Sequence, residues 1–169
     1  NRRWSKENPS ITGDTSSARG HRAGASKIIE LLGWCEETEI TVVTLWLLSS
    51  DNLKRPEAEL NSLFEIITET VQALGATGRW AIRPVGALEL LPEALRGTLK
   101  EVERKSSGIG GITVNVAIGY GGRLEIVDAV KRYITDSAAV GKASEAIAHD
   151  LSVETIDQFL YTAGQPDPE

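Results

Sequence analysis

The stretch Ile40–Glu57, ITVVTLWLLSSDNLKRPE, does most to limit what this chain can fold into. Ile40, Val42, Val43, Leu45, Trp46, Leu47 and Leu48 form a nearly continuous apolar run over Ile40–Leu48. Such a run, rich in β-branched residues, predicts a parallel strand covered on both faces. Ser49, Ser50, Asp51 and Asn52 then break it with short polar side chains that favour turns. Lys54 and Arg55 follow, and Pro56 is suited to the first position of a helix. Ligands of open α/β sheets bind at the carboxyl ends of strands. Hydroxyls, an amide and two cations beside a helix start therefore make a candidate cradle for a phosphate or diphosphate. The plain alternative is an ordinary strand–helix turn with solvated charges.

The rest of the chain alternates in the same way. A polar loop over residues 1–20 precedes a helix from His21 to about Glu37, with Ile28, Leu31, Leu32 and Cys35 on its apolar stripe. Leu60, Leu63, Phe64, Ile67, Val71 and Leu74 predict a helix over Glu57–Leu74, with Gly75 as its stop. Trp80–Val85 predicts a short strand in which Pro84 marks an edge or an irregularity. A helix from Pro92 to about Lys105 and a glycine-rich turn over Ser106–Gly111 come next. Ile112, Val114, Val116 and Ile118 alternate with Thr113, Asn115 and Ala117 in a third strand, which ends in Gly119-Tyr120-Gly121-Gly122-Arg123. Ile126, Val127, Val130 and Ile134 then mark a helix, and shorter ones follow over Ala143–Asp150 and Val153–Tyr161, with Ser152 as the N-cap of the last. The fold class expected is α/β, one domain with a mostly parallel central sheet and helices on both faces.

Composition narrows the function classes. The 169 residues are 41% apolar and 25% charged, which describes a globular chain able to bury a core. A net charge of -6 argues against a general nucleic-acid binder, while leaving room for a local basic pocket. No apolar run approaches a membrane span, so any membrane association expected is peripheral. Cys35 is the only cysteine, which excludes an intrachain disulfide and fits a cytoplasmic setting. Asn1-Arg2-Arg3-Trp4 is no initiator sequence and the chain stops at Pro166-Asp167-Pro168-Glu169, so native residues are expected beyond both ends.

Four sites and a fifth motif stand in order: NRRW at 1–4, GHRAG at 20–24, SSDNLKRP at 49–56, GYGGR at 119–123, and LYTAGQPDP at 160–168. The order and chemistry resemble the cis-prenyltransferases, the Z-isoprenyl diphosphate synthase or undecaprenyl diphosphate synthase-like family. That family carries D-G-N-x-R-W, G-H-x-x-G, a strand ending S-x-E-N-x-x-R-P, then N-Y-G-G-R, and L-Y-T-x-x-x-P-D/E-P before R-T-S-G-E. Each motif alone is weak, but five in order cover essentially the whole chain. Taken singly, His21 is a helix-start hydrogen-bonding residue, Asn52 a turn residue, Arg55 a cation beside Glu57 or Glu59, and Arg123 a partner for Glu125 or Asp128. The aspartate-rich D-D-x-x-D clamp of trans-type prenyl elongases does not occur.

The resemblance implies elongation of an allylic diphosphate, geranyl or farnesyl, by isopentenyl diphosphate, with a new Z double bond. It places Ser49 and Asn52 as the catalytic pair that positions the attacking partner and assists proton loss. Asn52 is no base, so its role is orientation or relay. It assigns substrate binding to Asn1, Arg2, Arg3, Trp4, His21, Ser49, Ser50, Asp51, Leu53 and Arg55, with Arg55 gripping the allylic diphosphate. Ser17 stands where relatives carry an arginine, and Arg19 is the residue available to replace it. Asp51 replaces the usual glutamate and Leu53 a common tryptophan. Magnesium is the implied cofactor, with its carboxylates expected outside both ends and no metal ligand assigned within the chain. A homodimer is implied as well. Trp46, Leu47 and Leu48 are bulky where a long product needs small residues, so a short product of about C15 to C20 is expected, with Leu47 in the floor of its tunnel. A medium- or long-chain synthase, a non-catalytic partner subunit of the same fold, and an unrelated α/β protein binding phosphorylated metabolites are the alternatives.

Overall fold

The computed structural model describes residues 15–166 and, within them, side chains from Ser26 onward. The elements run α1 (Thr15–Glu37), β1 (Val42–Ser49), a 3-10 turn (Ser50–Lys54), α2 (Glu57–Ala76), β2 (Ala81–Val85), a 3-10 turn (Leu88–Leu90), α3 (Glu93–Ser106), β3 (Thr113–Tyr120), α4 (Gly122–Ala139), α5 (Ser144–His149) and α6 (Val153–Asp157). The three strands form one parallel sheet in the order β1-β3-β2, surrounded by helices, as the α/β alternation predicts.

One face of the sheet is apolar. Leu48 of β1, Ile82 of β2 and Val114, Val116 and Ile118 of β3 share a single cluster with Leu32 of α1, Ile67, Val71 and Leu74 of α2, and Leu95, Leu99 and Val102 of α3. Burying each such side chain contributes about 1.5–3 kcal/mol, so this cluster carries much of the fold's stability. Cys35 packs against it, as its place on the α1 stripe predicts. The opposite face is more polar, bearing Thr44, Asn115 and Arg83 in register across the three strands. There Asn115, only 1% exposed, exchanges two hydrogen bonds with Gln165 of the segment after α6, at 2.6 and 2.9 Å.

Several boundaries and one placement differ from the sequence reading. The strand covered on both faces is β3, whose six interior residues are all buried; β1 pairs on one side only among the described residues, and its Trp46 is 64% exposed. Alternation in β3 does not expose Asn115 or Ala117, both buried; Gln165 of the C-terminal segment covers Asn115. Helix α1 starts at Thr15, so residues 15–20 are helical and not a loop. Gly75 does not stop α2 but lies within it, where its missing side chain makes room for Val102 of α3. Helix α4 runs on to Ala139, and α6 ends at Asp157, with turns beyond it. Ser152 does cap α6, accepting from the Thr155 amide at 3.2 Å. Pro84 sits in β2, which among the described residues is an edge strand, where a missing N–H is tolerated.

Strand β1 carries an irregularity near its end. Trp46 pairs with Ala117 and Leu48 with Ile118, so Leu47 bulges out of the ladder and Leu48 turns into the core. Beyond β2, Gly86 adopts φ +118, and a Cβ there would overlap the Ile118 carbonyl oxygen. Among the described residues, no helix is long and apolar enough to cross a membrane.

Candidate active site

Because all three strands are parallel, their carboxyl ends gather at one edge of the sheet. Ser49 ends β1 and caps the 3-10 turn that follows: its hydroxyl accepts from the Asn52 amide at 3.2 Å. Asn52 in turn accepts from Arg55 twice, by its side-chain Oδ1 from Arg55 Nε at 3.2 Å and by its carbonyl from the Arg55 amide at 3.1 Å. Ser49, Asn52 and Arg55 are thus one hydrogen-bonded unit built over seven residues. The free face of the Arg55 guanidinium reaches Glu59 only at 3.5 Å, a long contact between half-exposed groups that an incoming anion can replace. A hollow of about 390 Å³ opens beside it, lined by Arg55, Ala58, Glu59, Ser62 and Leu63.

The other residues of the turn do different things. Asp51 is exposed and bonded to Lys54 at 2.9 Å, and that hydrogen bond holds its carboxyl below the usual carboxylate range. It faces solvent with its own cation. Leu53 is partly buried and packs against the core cluster. Ser50 lies against Gly121 at the start of α4, so closely that a Cβ on Gly121 would overlap its hydroxyl. The end of β1 and the glycine-rich end of β3 therefore form one continuous edge, with Ser49 paired to Tyr120.

The bulge separates the three residues assigned to the hydrocarbon wall. Leu48 is fully buried and Leu47 packs partly on the same cluster, whereas Trp46 faces the other side of the sheet, edge-on to Tyr120 with ring centroids 5.8 Å apart. Asn1, Arg2, Arg3 and Trp4 lie outside the described residues. The backbone of Ser17, Arg19 and His21 is helical in α1, and their side chains lie outside the description. Among the described residues no three of His, Cys, Asp and Glu gather in a way that could hold a metal ion.

Sequence reasoning missed a second layer behind the edge. Neither Glu125 nor Asp128 serves Arg123, which is exposed. Glu125 accepts from the Tyr120 hydroxyl at 2.8 Å and the Tyr161 amide at 2.9 Å, and Asp128 from the Tyr161 hydroxyl at 2.6 Å. Burial first, and the bond to Glu125 second, push the Tyr120 phenol up to about 12; burial and Asp128 raise that of Tyr161 further. The one signal available was an acid two residues after Arg123, too short a pattern to distinguish from a helix-start carboxylate. A larger cavity of about 790 Å³ lies on the β2 side, lined by Arg83, Glu89, Asp128, Arg132 and Tyr161 among others. Ser49, Asn52 and Arg55 do not line it.

Comparison with known proteins bears on this edge. The family model described as "Putative undecaprenyl diphosphate synthase" matches residues 1–169. The chain is 49% identical over 169 residues to "Isoprenyl transferase 1" of Streptomyces avermitilis, and 50% identical over 169 residues to a "(2Z,6E)-farnesyl diphosphate synthase" of Thermobifida fusca. Both matches take in 100% of this chain but only 64% and 65% of those proteins, so the chain spans just under two thirds of their length. Among solved structures, lavandulyl diphosphate synthase from Lavandula x intermedia, in complex with dimethylallyl diphosphate, shares the fold with a TM-score of 0.79 at 24% identity, over 97% of this chain and 68% of that one. A probable undecaprenyl diphosphate synthase from Campylobacter jejuni superposes with a TM-score of 0.67 at 28% identity, over 82% of this chain and 63% of that one. With the family match running the full length and the Ser49–Arg55 turn at the carboxyl edge of a parallel sheet, the chain belongs to the undecaprenyl diphosphate synthase family of prenyltransferases.

Proposed function

We propose that the full-length protein is a cis-prenyltransferase, condensing isopentenyl diphosphate with geranyl or farnesyl diphosphate to give a short Z-prenyl diphosphate. The observation that carries this reading is the Ser49–Asn52–Arg55 unit at the end of β1, a fixed cation with an open face beside two neutral polar groups. In the reaction the allylic C–O bond breaks and inorganic diphosphate leaves. The double bond of isopentenyl diphosphate supplies the electron pair of the new C–C bond, and loss of a proton restores a double bond. Arg55 stabilises the departing polyanion, which gains charge as the bond breaks. Ser49 and Asn52 orient the attacking partner; Asn52 Oδ1 is already engaged by Arg55, so it fixes the cation as well as the substrate. Ser50 and the backbone of the turn complete the edge. Asn1, Arg2, Arg3, Trp4, Arg19 and His21 belong to the proposed diphosphate site on motif grounds, with Arg19 in place of the arginine absent at Ser17. Mg2+ is proposed as cofactor on the family resemblance alone.

The test is elongation. Full-length protein, Mg2+, labelled isopentenyl diphosphate and either geranyl or farnesyl diphosphate are expected to yield a short labelled product whose new double bond is Z. No elongation with either primer overturns the reading. The name of the Thermobifida fusca relative and the bulk of Leu47 and Leu48 both support a short chain. Leu47 borders the apolar cluster from the bulge, so Leu47→Ala is expected to lengthen the products by at least one isoprene unit, as resolved by chromatography. An unchanged distribution removes Leu47 from the wall.

We further propose a homodimer and a cytoplasmic setting, with the described residues as part of one domain. The support for a dimer lies on α4, where Ile126, Val127 and Ile134 are roughly half exposed along one helix. Ile134→Glu is expected to yield a monomer in size-exclusion chromatography with light scattering; a variant that elutes as the parent does rules out this face.

A further inference from the structure

Behind the diphosphate edge lies a buried carboxylate that the reaction does not use. Glu125 sits in the first turn of α4 and is 6% exposed, yet both of its oxygens are taken by neutral donors, the Tyr120 hydroxyl and the Tyr161 amide. Burying a carboxylate costs free energy unless hydrogen bonds compensate it, so such a group is best explained by what it holds together. On one side it holds the segment after α6. Tyr161 there also bonds Asp128, Arg83 reaches the Tyr161 carbonyl at 3.5 Å, and Gln165 is paired with Asn115 in mid-sheet. That segment is therefore pinned at four polar points. On the other side Glu125 holds Tyr120, the partner of Ser49 in the sheet and the neighbour of Gly121, which lies against Ser50.

We infer that Glu125 is a positioning residue: through Tyr120 it fixes Gly121 against Ser50, and so keeps the Ser49–Arg55 turn in the geometry that receives a diphosphate. The C-terminal turn at Tyr161 is the anchor from which it does so. This rests on the proposed diphosphate site. Glu125 touches no substrate and acts entirely through the two tyrosines and the glycine. Its partly buried Tyr120 partner stays protonated at neutral pH, so the hydroxyl remains a donor throughout the working range.

The test uses the full-length protein and inorganic diphosphate as the calorimetric probe, with elongation kinetics alongside and circular dichroism to confirm folding. Glu125→Ala is expected to weaken diphosphate binding about tenfold and to raise KM for the diphosphate substrates by a similar factor, with kcat little changed. Glu125→Gln is expected to stay within about threefold of the parent, since its carbonyl oxygen can take the Tyr161 amide and its NH2 can meet the Tyr120 oxygen. Tyr120→Phe removes only one hydroxyl, and is expected to weaken binding in the same direction even if Glu125→Ala does not fold. Two results overturn the inference: Tyr120→Phe binding as the parent does, or Glu125→Gln losing as much as Tyr120→Phe, which would mean that charge and not geometry matters. A parent protein that does not bind diphosphate at all instead overturns the site assignment.

Discussion

Arg55→Ala in the full-length protein is expected to lower kcat/KM for the allylic diphosphate by about 10²–10³, while its melting temperature stays close to the parent's. The two halves of this expectation come from different contacts. Toward the substrate, Arg55 presents a guanidinium that can bond a diphosphate through two N–H groups, and charge-assisted bonds of that kind strengthen as the leaving group gains charge. Toward the protein, it makes a 3.5 Å pair with Glu59 and a bond to Asn52, both at a half-exposed position. Exposed pairs of this type contribute at most about 1 kcal/mol to folding, so little stability is at risk. Arg55→Lys is expected to recover part of the loss, because it restores charge but neither the fork nor the link to Asn52. Steady-state kinetics and a thermal melt on the same samples check both halves. Parent-like turnover in Arg55→Ala would remove this residue from the site.

Gly86→Ala is expected to have the largest effect on stability, about 3 kcal/mol or more, which for a domain of this size is roughly 6–12 °C in Tm. Two costs combine at this position. A φ of +118 lies where an L side chain is strained, and the added methyl would overlap the carbonyl oxygen of Ile118. That oxygen belongs to the backbone of the central strand, which is fully buried and cannot step aside as a flexible side chain would. Relief requires β2 and β3 to part at the edge that carries the candidate site. Denaturant titration of parent and variant gives the difference directly, and a loss below about 1 kcal/mol would show that the edge yields more easily than its packing implies.

How far the sequence reveals this molecule depends on the distance over which each feature is encoded. The strands and helices are written in local periodicity, and the Ser49–Asn52–Arg55 unit is contained within seven consecutive residues, so both could be located by reading along the chain. Which strand is central could not. Ile40–Leu48 and Ile112–Ile118 are both apolar runs, and the more continuous one proved to be β1, with a single neighbour among the described residues. Sheet order is decided by pairing between residues about 70 positions apart for β1 and β3 and 32 apart for β2 and β3, and nothing in either run states it. Asn115 shows the same limit: a polar residue in a strand reads as solvent-facing, until Gln165 arrives from 50 residues away to cover and satisfy it. Glu125 was hidden for a related reason. Its partners, Tyr120 and Tyr161, stand on either side of it in sequence, and only the folded chain brings them to one carboxylate.

The bulge at Leu47 has a counterpart in the facing strand. Between Val42 and Trp46 each residue of β1 faces one 71 positions later; at Leu48 the offset is 70, and at Ser49 it is 71 again. The residue skipped on β1 is answered by one skipped on β3, so the two strands slip out of step for one pair and then return to it. Such paired faults cancel. They let Leu48 swing inward and thicken the apolar layer, yet leave Ser49 and Tyr120 level, as two rulers with one widened division each still end at the same mark. The apolar side of the sheet can then vary in shape without displacing the polar rim above it, and under the proposed function chain length and head-group binding become separately adjustable properties.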